Sequence, residues 1–156
     1  MTNRLWPADA VTGSPSYSGR AMRQALMAPL LAGATAARPL GAISGVRPGT
    51  PDTTVSVAAL VWTIKPHAGV LDLEAALAAG PYGYAIDADV TGAVTAANAT
   101  YARKDGLYVT LSDPAEGDGT ATPGVAITYL AGTPAAAPVM PATPARSMLL
   151  ARLDVP

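Results

Sequence analysis

The sequence predicts a mainly β protein: an antiparallel β-sandwich with an extended N-terminal arm that carries one short helix. Within residues 53–131, several short segments alternate apolar residues with polar or small ones, as half-buried strands do. Residues 105–129 read as strand, turn-rich loop and strand, which is typical of an antiparallel pair. Proline and glycine interrupt the first 51 residues too often for any long element. We therefore assign residues 1–51 to the arm and residues 52–156 to the sandwich.

The arm is predicted to contain a single helix. Ser18 can cap its N-terminus, and Met22, Ala25 and Leu26 fall on one helical face. Pro29 should end the helix, because a residue that precedes proline is pushed away from the helical region. The rest of the arm has too little local structure to fold alone, so we expect it to become ordered on another polypeptide.

The first strands of the sandwich follow the arm. Thr53 to Ile64 is predicted as one strand with apolar residues on both faces, and Tyr82 to Asp87 as a half-buried strand. Between them, Gly69 to Asp72 favours a short strand, and Asp72 to Ala79 favours one or two helical turns ended by the following Gly-Pro.

The clearest prediction is a hairpin. Its first strand, 105–112, places Leu107, Val109 and Leu111 on one face, and its second strand returns after the polar loop 113–123.

A proline-rich connector, residues 132–144, should then run extended. It would let a last strand, residues 147–155, cross the domain rather than pair with its predecessor. Leu149, Ala151, Leu153 and Val155 should share one face of that strand.

Composition limits the possible chemistry. The chain has no cysteine, which excludes disulfides, thiolate zinc sites, iron–sulfur clusters and a cysteine nucleophile. Alanine supplies 34 residues and phenylalanine none, so the core buries little area per residue, which suggests stabilisation by neighbouring subunits. The favoured explanation of the alanine bias itself is a GC-rich genome. No signal peptide or membrane-spanning stretch is predicted, so the protein is expected to be made in a cytoplasm and to stay soluble.

Charge is divided unevenly along the chain. The arm has five arginines against one aspartate, whereas residues 52–118 have three Lys/Arg against nine Asp/Glu. The arm and the body could therefore pair within one molecule or between copies. Scattered arginines without interleaved aromatics do not predict nucleic-acid binding.

No catalytic, cofactor or metal residue is predicted, and we expect no enzyme. His67 is the only histidine and no Gly-x-Ser-x-Gly elbow is present, so His67 is interpreted as a turn residue. Asp87 with Asp89 could suggest a glycosidase pair, and the acids of loop 113–123 a calcium site, but solvated turn acids are the favoured interpretation.

Aromatic and arginine side chains provide the candidate interface. The arm residues assigned to it are Arg4, Trp6, Tyr17, Arg20 and Arg23. In the body, Tyr82 and Tyr84 are candidates for stacking on a glycan, whereas Trp62 is predicted to lie in the core.

Several stretches also carry a family resemblance that covers most of the chain. They lie at 4–7 (RLWP), 14–20 (SPSYSGR), 45–51 (GVRPGTP), 62–72 (WTIKPHAGVLD), 80–84 (GPYGY), 113–119 (DPAEGDG), 129–134 (YLAGTP) and 141–153 (PATPARSMLLARL). In these the chain resembles the short minor tail or baseplate proteins of actinobacterial phages. The resemblance implies a β-domain present in several copies at the distal end of a phage tail.

The functional prediction is therefore a structural virion protein of a phage tail tip or baseplate, which assembles through its N-terminal arm. Its expected partners are other tail proteins and copies of itself in a trimer or ring. The alternative is a receptor-binding module for host cell-wall glycans in the same tail. A cell-wall hydrolase ranks last, because no acid–base constellation supports it.

Overall fold

The structure, a computed structural model, describes residues 18–72, 79–117 and 120–156. Strands are the main regular element in these ranges. By its contacts the chain divides into two units. The described parts of the first are residues 18–44, 70–72 and 79–83; those of the second are 45–69, 84–117 and 120–156. This division differs from the predicted boundary at residue 51, because residues 45–51 fold with the strands that follow them, whereas residues 70–72 and 79–83 belong with the N-terminal section.

The described N-terminal section contains one helical segment in three consecutive pieces: α1 (Gly19–Met22), a π-helical turn (Arg23–Met27) and α2 (Ala28–Leu30). The predicted cap is confirmed, since the Ser18 hydroxyl accepts a hydrogen bond from the Ala21 N–H at 3.1 Å. The predicted end at Pro29 is wrong, because the helix continues to Leu30. Ala28, the residue before Pro29, keeps helical dihedral angles (φ −60°, ψ −41°), and the backbone becomes extended only at Leu31.

Nine described strands form three three-stranded antiparallel sheets, which confirms the mainly β, antiparallel prediction. The strands are β1 (Gly45–Val46), β2 (Val55–Ala58), β3 (Val61–Ile64), β4 (His67–Leu71), β5 (Tyr82–Ile86), β6 (Val90–Ala93), β7 (Arg103–Ser112), β8 (Gly124–Leu130) and β9 (Ser147–Val155). Their orders are β1-β4-β5, β2-β3-β6 and β8-β7-β9. Two short 3₁₀ turns, Asp52–Thr54 and Pro114–Glu116, precede β2 and β8.

The segment predicted as one strand from Thr53 to Ile64 is a hairpin instead. β2 and β3 pair antiparallel, with Ala58 opposite Val61, so Ala59 and Leu60 alone make the turn. Both turn residues have positive φ, 49° and 61°, as the tightest hairpin turns require. Asparagine and glycine usually mark such turns, and neither occurs here, which is why the sequence pattern did not show the break.

The third sheet follows the prediction closely. β7 and β8 form the expected hairpin, with Leu107 opposite Tyr129 and Val109 opposite Ile127. β9 pairs with the far side of β7 and not with β8, as the extended connector predicted.

A register shift in β9 corrects the predicted face of that strand. Leu107 pairs with Ala151 but Tyr108 pairs with Leu149, so Leu150 is an extra, bulged residue. As a result Leu150 packs against the core, whereas Leu149 is 44% exposed.

The two sheets of the second unit that contain β3 and β7 share one apolar core. Its buried members are Trp62, Ile64, Val94, Leu107 and Val155. Trp62 lies in the core as predicted, and its ring covers Gly92, where a Cβ atom would come within 2.3 Å of the ring. The opposite face of β7 is also covered: Tyr108 is 1% exposed and donates a hydrogen bond to the carbonyl of Pro141 at 3.2 Å. The connector thus lies over β7.

Candidate functional site

The most strongly polar cluster of the second unit is buried. Arg103 and Asp105, two residues apart on β7, are 3% and 0% exposed. The Arg103 Nε donates to Asp105 Oδ1 at 2.9 Å, and its two terminal nitrogens donate to the carbonyls of Thr95 and Ala96. The hydrogen bond to Asp105 is the main cause that raises the pKa of the Arg103 guanidinium, so Arg103 stays protonated.

The carboxylate of Asp105 joins three further parts of the same unit. It accepts a hydrogen bond from the Tyr129 hydroxyl at 2.5 Å and another from the Gly132 N–H at 2.9 Å. The Tyr129 oxygen in turn accepts from the Thr95 N–H at 3.0 Å. Because these partners belong to the chain itself, the cluster fixes β8, the start of the connector and residues 95–96 around β7. The Arg-Lys-Asp run at 103–105, just before the alternating residues of β7, was the sequence signal for this cluster, and sequence reasoning missed it.

A second carboxylate organises the first unit. Asp72 accepts a hydrogen bond from the Ala42 N–H at 2.5 Å and forms an ion pair with Arg38. The backbone N–H of Asp72 donates to the Ser44 hydroxyl at 2.9 Å. Asp72 therefore ties residues 38–44 to the end of β4, which shows that this part of the N-terminal section is held by its own chain.

His67 begins strand β4 and does not occupy the predicted turn. Its Nδ1 lies 3.0 Å from the Lys65 carbonyl and its Nε2 lies 3.3 Å from the Tyr84 hydroxyl. We assign the proton to Nδ1, since a carbonyl can only accept, which leaves Nε2 to accept from Tyr84. Burial raises the pKa of Tyr84, so the hydroxyl remains a donor.

The two tyrosines expected to stack on a glycan are both buried. Tyr82 is 8% and Tyr84 is 6% exposed, so neither presents an open ring face in this structure. The Arg23 guanidinium lies 3.9 Å from the centre of the Tyr82 ring, a cation–π contact, and the Arg23 Nε donates to the Ala79 carbonyl at 2.8 Å. Arg23, predicted for an intermolecular interface, thus makes its described contacts inside the first unit.

The other predicted site residues are dispersed. Arg4, Trp6 and Tyr17 lie outside the described residues, and Arg20 stands one helical turn before Arg23. Asp89 forms an exposed ion pair with Lys65 at 2.5 Å. Asp113 caps the turn before β8 by accepting from the Ala115 N–H at 3.1 Å. In the described ranges no three His, Asp or Glu side chains come together as a metal site would require, and no helix is long and apolar enough to cross a bilayer.

The second unit has an open groove of about 480 Å³. It lies where β2 and β9, each the outer strand of its sheet, face each other. The groove is lined mostly by apolar and small polar side chains: Val46, Thr50, Pro51, Asp52, Thr54, Val55, Ser56, Val57, Leu150, Ala151, Arg152 and Leu153. Val46 and Val57 are 41% and 46% exposed on it. The groove offers packing surface and backbone edges rather than a cluster of acids and bases.

No protein-family model, no curated protein and no solved structure matches this chain.

Proposed function

We propose that this protein is a non-enzymatic structural subunit of a bacteriophage tail tip or baseplate, assembled through its N-terminal section onto other tail proteins and further copies of itself. The observation that carries the proposal is the exposure of large apolar side chains in that section. Leu30 is 81% and Ile43 is 72% exposed. Aliphatic side chains of this size stabilise a protein when they are buried, and a partner surface can bury them.

The use of polar groups supports a structural role. Arg103 with Asp105, and Arg38 with Asp72, connect separate segments of the chain through buried or partly buried contacts. His67 and Tyr84 likewise hydrogen-bond to each other. These groups hold segments of the fold together, and the groove of the second unit is lined mostly by apolar and small polar side chains.

The assignment to a phage tail rests on the sequence resemblance, which runs through the turns and connectors. The structure gives two of these stretches a physical role. The 62–72 stretch includes Trp62 of the core and Asp72 of the first unit, and the 129–134 stretch includes Tyr129 and Gly132 of the buried cluster.

The glycan-binding alternative finds less support. Stacking on a sugar requires an accessible aromatic face, and Tyr82 and Tyr84 are buried. The structural role is therefore the stronger proposal.

The test replaces Leu30 by glutamate in a phage that depends on a plasmid copy of this gene. We expect Leu30→Glu protein to fold, since its side chain is 81% exposed, but to be lost from purified particles. Quantitative mass spectrometry of the particles measures the copies incorporated.

The matched control is Val139→Glu, an equally charged change at a side chain that is 73% exposed in the connector. Its incorporation should stay normal. Normal incorporation of folded Leu30→Glu protein would contradict the proposed route of assembly, and absence of the unaltered protein from particles would contradict the virion role itself.

A further inference from the structure

Strand β2 has one backbone edge that faces away from its sheet. The Lys65 N–H donates to the Thr54 carbonyl at 2.8 Å, and Ala58 pairs with Val61 across the two-residue turn. Because antiparallel ladders alternate, Ser56 and Ala58 direct their N–H and C=O groups toward β3. Val55 and Val57 therefore direct theirs outward, toward the open edge.

The pairing of β3 with β6 gives the same assignment of inward and outward backbone groups on β2. The Val94 N–H donates to the Leu60 carbonyl at 2.7 Å, and Val61 lies opposite Ala93. Trp62 thus faces β6 with its backbone, so its cross-strand neighbour Val57 must face away from β3. Among the described residues, no hydrogen bond to the outward backbone groups of Val55 or Val57 is present.

Although β2 is only four residues long, its edge has no lysine, proline, inward charge or bulge to prevent pairing. Natural edge strands carry lysine, proline, inward charges or bulges that prevent another strand from adding. β2 reads Val-Ser-Val-Ala, and the whole hairpin from Val55 to Ile64 contains no charged residue and no proline. Beside it the groove leaves Val57 46% exposed.

We propose that β2 pairs antiparallel with β2 of a second copy of this chain, about a two-fold axis at Ser56. In this register Val55 of each copy lies opposite Val57 of the other, and each valine pair exchanges two backbone hydrogen bonds. The outward groups of one edge are then satisfied by the identical groups of the other, which is what a self-complementary two-fold contact requires.

The side chains fit the same register. Val57 is the cross-strand neighbour of the buried Trp62 and Val55 that of the buried Ile64, so both valines lie on the core face of the sheet. Pairing would set valine against valine on that face, at the groove, and serine against serine on the other. Neither β2 strand carries a charged residue, so the pairing itself places no like charges opposite each other.

This inference concerns purified protein and does not rest on the role in a phage tail. A two-fold contact closes a pair, whereas a ring or trimer needs a different, heterologous surface. An extended segment of another protein could use the same edge, and the experiments below separate the two occupants because only this chain is present.

Cysteine cross-linking tests the register directly, since the chain has no cysteine of its own. At a non-hydrogen-bonded antiparallel pair the Cα atoms lie about 4.5 Å apart, within the range a disulfide spans. We expect Ser56→Cys protein to become a disulfide-linked dimer under mild oxidation. Thr91→Cys is the control, because Ser56, Thr63 and Thr91 form one row across the sheet and Thr91 is exposed on the opposite outer strand. Equal cross-linking of the two variants would overturn the proposal.

Sedimentation of the protein without cysteine tests the contact itself. We expect a dimer that Val57→Pro converts to monomer, because proline removes the outward N–H and leaves the ladder to β3 intact. Val57→Lys provides a second variant if proline impairs folding, with Val61→Lys as its control: the two side chains are 46% and 43% exposed, but β3 has no free edge. A monomer for the unaltered protein, or a dimer that survives both Val57 substitutions, would overturn the proposal.

Discussion

Arg103 and Asp105 illustrate how one pair of side chains can hold several segments in place. A buried ion pair is weak evidence of net stabilisation, because removing both charges from water costs about as much as their attraction returns. The position of this pair is the more informative fact. Its hydrogen bonds reach residues 95–96, Tyr129 and Gly132, so the pair defines where three segments meet around β7.

Removing the charge of either Arg103 or Asp105 should therefore lower the free energy of unfolding. Asp105→Asn leaves the Arg103 guanidinium buried without its counter-charge, and we expect the free energy of unfolding to fall by about 3–5 kcal/mol. Urea unfolding followed by Trp fluorescence measures the change.

Asp154→Asn is the matched control on β9. Asp154 also pairs with an arginine two residues away, Arg152, but the two side chains are 58% and 54% exposed, so the loss should stay within about 1 kcal/mol. Similar losses for the two variants would mean that the buried cluster does not organise the unit.

Tyr84 gives the unfolding free energy a dependence on alkaline pH. Burial raises the pKa of Tyr84 above its ordinary value of 10.0, so the folded state holds the hydroxyl proton more tightly than the unfolded chain does. The resulting stabilisation is fully present below about pH 10 and is lost as the pH rises through the folded-state pKa.

The measurement is urea unfolding at a series of pH values between 7 and 11. We expect the stability difference between the unaltered protein and Tyr84→Phe to be constant at neutral pH and to narrow above about pH 10. Tyr101→Phe serves as the control because that side chain is 48% exposed. Parallel curves for the unaltered protein and Tyr84→Phe would contradict the assignment.

Among the secondary-structure elements, the β2–β3 turn departs most from its sequence. Residues other than glycine, asparagine and aspartate seldom adopt positive φ, and Ala59 and Leu60 both do so. Leu60 is also 52% exposed, which means that its side chain gains little from packing.

The double substitution Ala59→Asn/Leu60→Gly should relieve this strain. We expect the free energy of unfolding to rise by about 1 kcal/mol, because Asn-Gly is the preferred pair for this turn. Chemical denaturation measures the gain. Val139→Gly removes a similarly exposed apolar side chain at a residue without positive φ, and it should give no gain. If the free energy of unfolding of the turn variant changed no more favourably than that of Val139→Gly, the turn would be unstrained.

The same elements show what the sequence could predict. The β7–β8 hairpin was predictable because its alternating residues and polar loop agree, and β9 because a proline-rich connector cannot make a tight turn back to β8. The turn at Ala59 and the bulge at Leu150 were not predictable, since both depend on backbone geometry that their residue types do not mark. The same bulge reverses which of Leu149 and Leu150 meets the core.

For the molecule as a whole, each of the two units is built from separate stretches of the chain, so the boundary between them was not visible in the sequence. Residues 18–44 and 79–83 contribute to one unit although more than thirty residues separate them, and a change in composition along the sequence does not reveal such a return. The contacts of Asp72 with Arg38, Ala42 and Ser44 join the end of β4 to residues 38–44 of the same unit. The burial of Tyr82 and Tyr84 was not visible in the sequence for the same reason, because their contacts are with Arg23 and His67, which are distant in sequence.

The arrangement of β7 between β8 and β9 also implies an order of folding. β7 can join β8 early, because a short loop closes that hairpin at small entropic cost. The pairing of β7 with β9, in which Arg103 lies opposite Val155, requires a much longer loop to close and therefore comes later. Until β9 arrives, one side of the longest described strand has no neighbour. A nascent or heated chain that lacks β9 would therefore expose an unpaired backbone edge of β7, a strand that is mostly buried once folding is complete.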